Sequence, residues 1–154
     1  MSERVYECSK SELEELKKTL AYDPYLDTTL IPPEIKEEKM EKDKLTPEQQ
    51  AMIDSRNKKV AEAHKFLEES PKGRYIFSRQ QYEIKDGASL GLNAEMCYIY
   101  LNATDDFLNG AEQRFKNEFK TIKRADSASE QKVISAIKEE QERANLGFGS
   151  IFGG

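Results

Sequence analysis

An unbroken apolar run near the middle of the chain most constrains its fold. Residues 95–102 contain Met-Cys-Tyr-Ile-Tyr-Leu in succession, which suits a buried strand. Residues 74–78 and 81–85 are rich in aromatic and β-branched side chains, and Asp86-Gly87 is a turn signal. The sequence therefore predicts a small antiparallel sheet of about two to four strands, in agreement with the strand statistics of small domains.

Helical patterns lie on both sides of this β segment. Thr46-Pro47-Glu48-Gln49 is a strong helix start, with a capping threonine, a proline at the first helical position and a glutamine that completes a capping box. Apolar spacing predicts a helix over 47–69 and another over 104–123, and Ser127 opens a last helix. We expect the first two to pack on one face of the sheet. The predicted fold is thus α+β and mostly helical, with a small sheet packed by long helices.

A short helix and a long connection follow the N-terminus. Ser9 and Glu12 have the spacing of a capping box ahead of a helix over 10–21. Residues 22–45, here called the strap, combine apolar residues without periodicity, a proline pair and a mixed charge run. A connection of this length is unusual in a compact domain, so we expect it to cross the surface and bind a partner. The strap residues expected at that contact are Tyr25, Leu30 and Ile31.

The last ten residues differ sharply in composition from the charged segment before them. They carry no charged side chain and hold four of the eight glycines. Ordering such a segment costs about 1–2 kcal/mol per residue, and the burial of a few apolar side chains returns a similar amount. We therefore predict one domain over 1–145 and a tail over 146–154 that docks in a groove, either on a partner or on its own domain. The tail residues expected to contact a partner are Leu146, Phe148, Ile151 and Phe152.

No catalytic or metal-binding motif stands out in the sequence. His64 is the only histidine and falls within a predicted helix, where a structural role is expected. Cys8 and Cys97 are far apart in sequence, and a reduced thiol pair is the simplest interpretation, with a disulfide as the alternative. We expect Cys97 to be buried and Cys8 to be the more accessible. No catalytic residue, metal or cofactor is predicted.

The bulk composition narrows the classes of function. A net charge of −5 argues against non-specific binding to nucleic acid or to a membrane surface, which needs a basic face. No apolar run approaches the ~20 residues of a membrane helix, and the N-terminal stretch has no apolar signal-peptide core, so we expect a cytoplasmic protein. The leading hypothesis is a non-enzymatic protein–protein interaction module, an accessory, assembly or structural subunit of a larger complex, which docks through the strap and the tail.

Two other classes of function stay open. An enzyme or small-ligand-binding protein would have a pocket between the sheet and the long helices. The side chains expected to line it are Tyr75, Tyr82, Tyr98 and Tyr100. A nucleic-acid-binding protein would carry a basic stripe beside aromatic residues. The residues expected in that stripe are Arg74, Arg79, Lys85, Arg114 and Lys116.

Overall fold

The computed structural model describes residues 1–33 and 45–151, and for residues 148–151 it describes the backbone only. The chain forms two compact units. The sheet unit comprises Met1–Ala21 and the chain from Phe77 onward, and the strap unit comprises Tyr22–Ile76. Among the described residues there are four strands in one antiparallel sheet and five α-helices. The predicted α+β class is therefore confirmed.

The strands are β1 (Ser2–Ser9), β2 (Gln81–Asp86), β3 (Met96–Ala103) and β4 (Lys123–Arg124). The sheet has the strand order β2-β3-β1-β4, with antiparallel neighbours throughout. The apolar run forms the central strand β3, as predicted, and pairs with the N-terminal strand along its whole length. Both faces of β3 are covered, which explains why its apolar residues do not alternate with polar ones.

Helices cover the two faces of this sheet separately. One face carries α1 (Leu13–Ala21) and α4 (Asp105–Glu118), whose apolar residues pack with Tyr6 and Ile99. The opposite face carries α5 (Ser127–Ile151). Fully buried leucines such as those of α1 contribute about 1.5–3 kcal/mol each. Within the sheet unit, the helix that shares a face with α4 is α1, and the predicted helix 47–69 belongs to the strap unit.

Helix α4 ends earlier than its apolar spacing predicts. Helix α4 ends at Glu118, where Phe119 is extended, and the predicted end at residue 123 is wrong. Phe119 and Ile122 have helical spacing, yet both enter the core from the irregular segment between α4 and β4. The Glu12 carboxylate, which does not complete the predicted capping box, accepts hydrogen bonds from this segment instead. A side chain more than a hundred residues away in sequence thus binds the segment that follows the helix.

The strap unit contains the helix α2 (Pro47–Glu69), the short helix α3 (Pro71–Arg74) and a 3-10 turn, Pro24–Leu26. The predicted capping box is present: Gln49 N–H donates to Thr46 Oγ1 at 3.1 Å, and Thr46 N–H donates to Gln49 Oε1 at 3.0 Å. A Cβ on Gly73 would lie 2.1 Å from the Leu67 carbonyl oxygen, so only glycine fits there.

A strand predicted over 74–78 is wrong. Helix α3 ends at Arg74, and a 3-10 turn follows at Phe77–Arg79. Phe77, one of the aromatic residues that favoured a strand, is fully buried in the sheet-unit core without being part of a strand. Among the described residues, every helix is too short or too polar to cross a membrane.

Candidate docking surface

Helix α2 buries little of itself for its length. Of its 23 residues, all of them described, Leu67 alone is buried. The half-buried positions Ile53, Arg56, Val60 and Ala63 precede it at intervals of three and four residues. This spacing marks one face of the helix. The described residues therefore cover this face only in part.

The described part of the strap, residues 22–33, runs along α2 in the opposite direction. The ring of Tyr25 lies 5.6 Å from the ring of His64, near the C-terminal end of the helix. Arg56, two turns nearer the N-terminus of α2, donates from Nε to the Pro33 carbonyl and from Nη2 to the Pro32 carbonyl, both at 3.3 Å. These contacts hold the strap beside the helix at two points.

Local hydrogen bonds fix the shape of the strap. Asp23 accepts from the Tyr25 N–H at 2.9 Å, and Asp27 accepts from both the N–H and the hydroxyl of Thr29, at 2.9 and 2.6 Å. The Tyr22 hydroxyl donates to the other Asp27 oxygen at 2.6 Å. Hydrogen bonds from Thr29 and Tyr22 hold the pKa of Asp27 below its ordinary value. The bond between Tyr22 and Asp27 also raises the pKa of Tyr22 to about 12. The strap is thus preorganised by aspartate turns.

Two surface grooves lie between the strap and α2. Their volumes are about 460 and 450 Å³, and Pro32 and Lys59 line both, so they adjoin each other. From Ala51 to Leu67 they follow α2 for about 24 Å at 1.5 Å per residue. The first is lined by Pro32, Pro33, Ala51, Met52, Ser55, Arg56 and Lys59. The second is lined by Thr29, Leu30, Pro32, Lys59, Glu62, Ala63, Phe66 and Leu67.

Both grooves expose large apolar side chains beside the polar side chains of Ser55, Lys59 and Glu62, and their walls offer few free backbone groups. Met52 is 58% exposed, Phe66 63% and Leu30 42%. The backbone of α2 is engaged in its own helix, prolines have no N–H, and the carbonyls of Pro32 and Pro33 already accept from Arg56. A segment that enters the groove must therefore satisfy its own backbone hydrogen bonds, as a helix does.

The strap residues predicted to bind a partner occupy different positions at this surface. Leu30 lines the second groove, whereas Tyr25 and Ile31 are half-buried and are not among the lining residues. Their contact with a partner stays a prediction. Sequence reasoning missed Met52 and Phe66, and the available signal was that both are large apolar residues beside the main stripe of a charged helix.

The other predicted docking segment forms part of α5. The helix continues to Ile151, six residues past the predicted end of the domain at residue 145. Residues 138–147 are all exposed, and Leu146 is 75% exposed. Of the other predicted tail contacts, Phe148 and Ile151 have only their backbone described, and Phe152 lies outside the described residues. Partner binding by these residues stays a prediction.

The tyrosines expected in a ligand pocket do not share one site. Tyr98 and Tyr100 are buried on the α5 face of the sheet, whereas Tyr82 packs on the opposite face. Tyr75 belongs to the strap unit. The prediction that these four tyrosines line one pocket is therefore wrong.

The basic stripe expected for nucleic-acid binding is also wrong in part. Arg114 is 5% exposed, donates to Glu118 at 2.7 Å, and lies over the Phe77 ring at 4.8 Å from its centroid. Lys85 donates to both carboxylate oxygens of Glu140, at 2.9 and 2.7 Å. These two cations stabilise the sheet unit.

The cysteines are both free and both buried. Cys97 is 2% exposed, as predicted, but Cys8 is 0% exposed, so the expectation that Cys8 is the more accessible is wrong. The reason is that β1 is a central strand of the sheet rather than an edge. Across the described residues, no group of three or more His, Cys, Asp or Glu side chains is placed to hold a metal ion.

Comparisons with protein-family models, with curated proteins and with solved structures found no match to this chain.

Proposed function

We propose that this chain is a protein–protein interaction module, an accessory or assembly subunit, that binds an amphipathic helix of a partner in the groove between the strap and α2. The observation that carries the proposal is the exposure of Met52 and Phe66, 58% and 63%, at the two ends of a groove with a preorganised wall. The two residues are separated by about 21 Å along α2. A partner helix of about four turns would span them.

The chemistry of the groove defines its occupant. Helix-in-groove recognition uses apolar anchors at intervals of three and four residues, which suits the spaced apolar side chains of this wall. Lys59 lies where the two grooves adjoin. Glu62 lines the second groove three residues further along α2. We therefore assign the occupant an acidic residue near its middle that faces Lys59 and not Glu62, between apolar residues that cover Met52 and Phe66. Burial of these two side chains would return about 1.5–3 kcal/mol each before the cost of association.

The exposed C-terminal half of α5 provides a second contact in this proposal. Leu146 is its large exposed apolar side chain among the described residues. We also propose a cytoplasmic location, where a disulfide would be transient.

The test uses surface variants of the full chain. Met52→Glu and Phe66→Glu place a charge in the groove, and Ala61→Glu is the matched control because it is exposed on the opposite side of the same helix. Wild type and variants are used as baits in the native source with quantitative mass spectrometry. The expected result is a protein retained by wild type and Ala61→Glu but lost by both groove variants. A peptide with the amphipathic helix of that protein should bind wild type in calorimetry, and Lys59→Glu should weaken the binding roughly fivefold, as expected for an exposed ion pair.

Three outcomes would overturn the proposal. Equal capture by Met52→Glu and Ala61→Glu would show that the groove is not the docking site. If Met52→Glu and Phe66→Glu lower the melting temperature by several degrees while Ala61→Glu does not, this chain itself covers the groove. Self-association of wild type, abolished by Met52→Glu in sedimentation analysis, would make a second copy the occupant instead of a partner helix.

A further inference from the structure

Cys8 and Cys97 are partners across the two central strands of the sheet. The register of β1 and β3 places them directly opposite each other, so their side chains lie on the same face. Lys10 N–H donates to the Glu95 carbonyl at 3.1 Å, two positions further along the same ladder. Because hydrogen-bonded and non-hydrogen-bonded pairs alternate in antiparallel strands, the two cysteines form a pair of the hydrogen-bonded type.

We propose that Cys8 and Cys97 form a reversible disulfide that links β1 to β3. The Cα atoms of a hydrogen-bonded pair are about 5.5 Å apart, within the range of about 4.4–6.8 Å found for disulfides. Directly opposite Cβ atoms are about 4.5–5.5 Å apart, whereas a disulfide needs about 3.5–4.5 Å. Closure therefore requires the strands to approach by roughly 1 Å, and the strain makes the bond easy to reduce.

The oxidant in this proposal is a low-molecular-weight disulfide such as oxidised glutathione. One cysteine, as thiolate, attacks a glutathione sulfur, forms a mixed disulfide and releases one glutathione thiolate. The second cysteine, as thiolate, then attacks the protein sulfur and releases the other. Two electrons pass from the protein to the glutathione disulfide, and the protons of the two protein thiols end on two glutathione thiols.

The position of the pair allows reaction despite its burial. Cys8 is one residue from the end of β1, and Cys97 is one residue from the start of β3. Local opening of strand ends needs less free energy than global unfolding. Burial raises the pKa of Cys8 to about 11 and also raises the pKa of Cys97, so the thiolates are scarce at neutral pH and the exchange is slow.

The test is oxidation of the folded full chain in glutathione buffers of increasing oxidised fraction. Samples are quenched with acid, alkylated and digested for peptide mapping. The expected product is a Cys8–Cys97 linked peptide that lacks two hydrogen atoms and returns to free thiols with dithiothreitol. Cys8→Ser and Cys97→Ser should give no internal link and retain at most one glutathione. Mapping of the wild type does not depend on whether these variants fold.

Either of two results would overturn the proposal. One is a folded wild type that carries glutathione or forms intermolecular dimers without the internal link. The other is a folded wild type that stays reduced in a buffer that oxidises the same chain in urea. In both cases the facing cysteines are packing residues only.

Discussion

The Glu12 carboxylate accepts hydrogen bonds from the backbone N–H and the hydroxyl of Thr121, 109 residues further along the chain. Its second oxygen accepts from the Lys120 N–H at 3.0 Å. Ser9 completes the contact, because its N–H donates to Thr121 Oγ1 at 3.1 Å. One side chain therefore satisfies the backbone of the segment between α4 and β4 and holds it beside the start of α1.

Glu12→Ala should lower the free energy of unfolding by about 1–2 kcal/mol. Hydrogen bonds to charged groups contribute up to about 3 kcal/mol, and the partial exposure of Glu12 reduces this value. Urea denaturation measures the change. Glu14→Ala is the matched control, since the Glu14 side chain is 83% exposed, and it should change stability by less than about 0.5 kcal/mol. Equal losses for the two variants would contradict a structural role for the Glu12 contact.

The same contact predicts a pH dependence. Burial opposes ionisation of Glu12, but the hydrogen bonds from Thr121 and Lys120 outweigh it, so its pKa lies below the ordinary 4.5. A carboxyl with a lowered folded-state pKa stabilises fully above its unfolded-state pKa and loses the contribution as pH falls through the folded value. The stability difference between wild type and Glu12→Gln should therefore be constant above about pH 5 and shrink below pH 4.5. A difference that grows on acidification would contradict the assignment.

The hydroxyl of Tyr6 should contribute about 1–2 kcal/mol to the free energy of unfolding. The ring is 1% exposed, and the hydroxyl donates to Glu112 Oε1 at 2.9 Å, the same oxygen that accepts from Arg4 at 2.8 Å. Tyr6→Phe removes this donor while the ring stays in place. A double-mutant cycle with Glu112→Gln, followed by urea denaturation, should give a coupling energy above about 0.5 kcal/mol. Additive effects would mean that the two groups are not coupled.

The strap geometry can be checked through Tyr22. Its pKa is raised to about 12 because its hydroxyl donates to the ionised Asp27. Asp27→Asn should bring the phenol back toward about 10, the value of an unperturbed tyrosine. Spectrophotometric titration compared with Tyr22→Phe identifies this residue. Asp54→Asn is the control, because Asp54 accepts from Gln50 on α2, and it should leave the titration unchanged. An unaltered pKa in Asp27→Asn would contradict the strap contact.

Local signals were enough to predict much of this fold. The capping box at Thr46 and the apolar run of β3 are encoded within a few neighbouring residues, and both are present. The start of α4 is local in the same way, since Thr104 Oγ1 accepts from the Phe107 N–H at 3.3 Å. In each case the side chain that defines the element lies within one helical turn or one strand.

The features that the sequence did not reveal depend on distant contacts. Phe77 favoured a strand by composition, yet its ring stacks on Phe115 at 5.0 Å between centroids. The spacing of Glu12 from Ser9 fits a capping box, yet its partner is Thr121. The groove beside α2 depends on where residues 29–33 lie, which periodicity within the helix does not encode. Propensity is a weak guide wherever tertiary contacts compete with it.

The C-terminal end of α5 should contribute little to stability. Residues 138–147 are exposed, and Leu146 is 75% exposed, so deletion of residues 146–154 removes no described buried side chain. The melting temperature should change by less than about 2 °C. Ile137→Ala is the contrasting control on the same helix, because Ile137 is 1% exposed, and it should cost about 2–5 kcal/mol. Loss of several degrees on deletion, with partner binding intact, would mean that the segment packs on its own chain and is not a docking element.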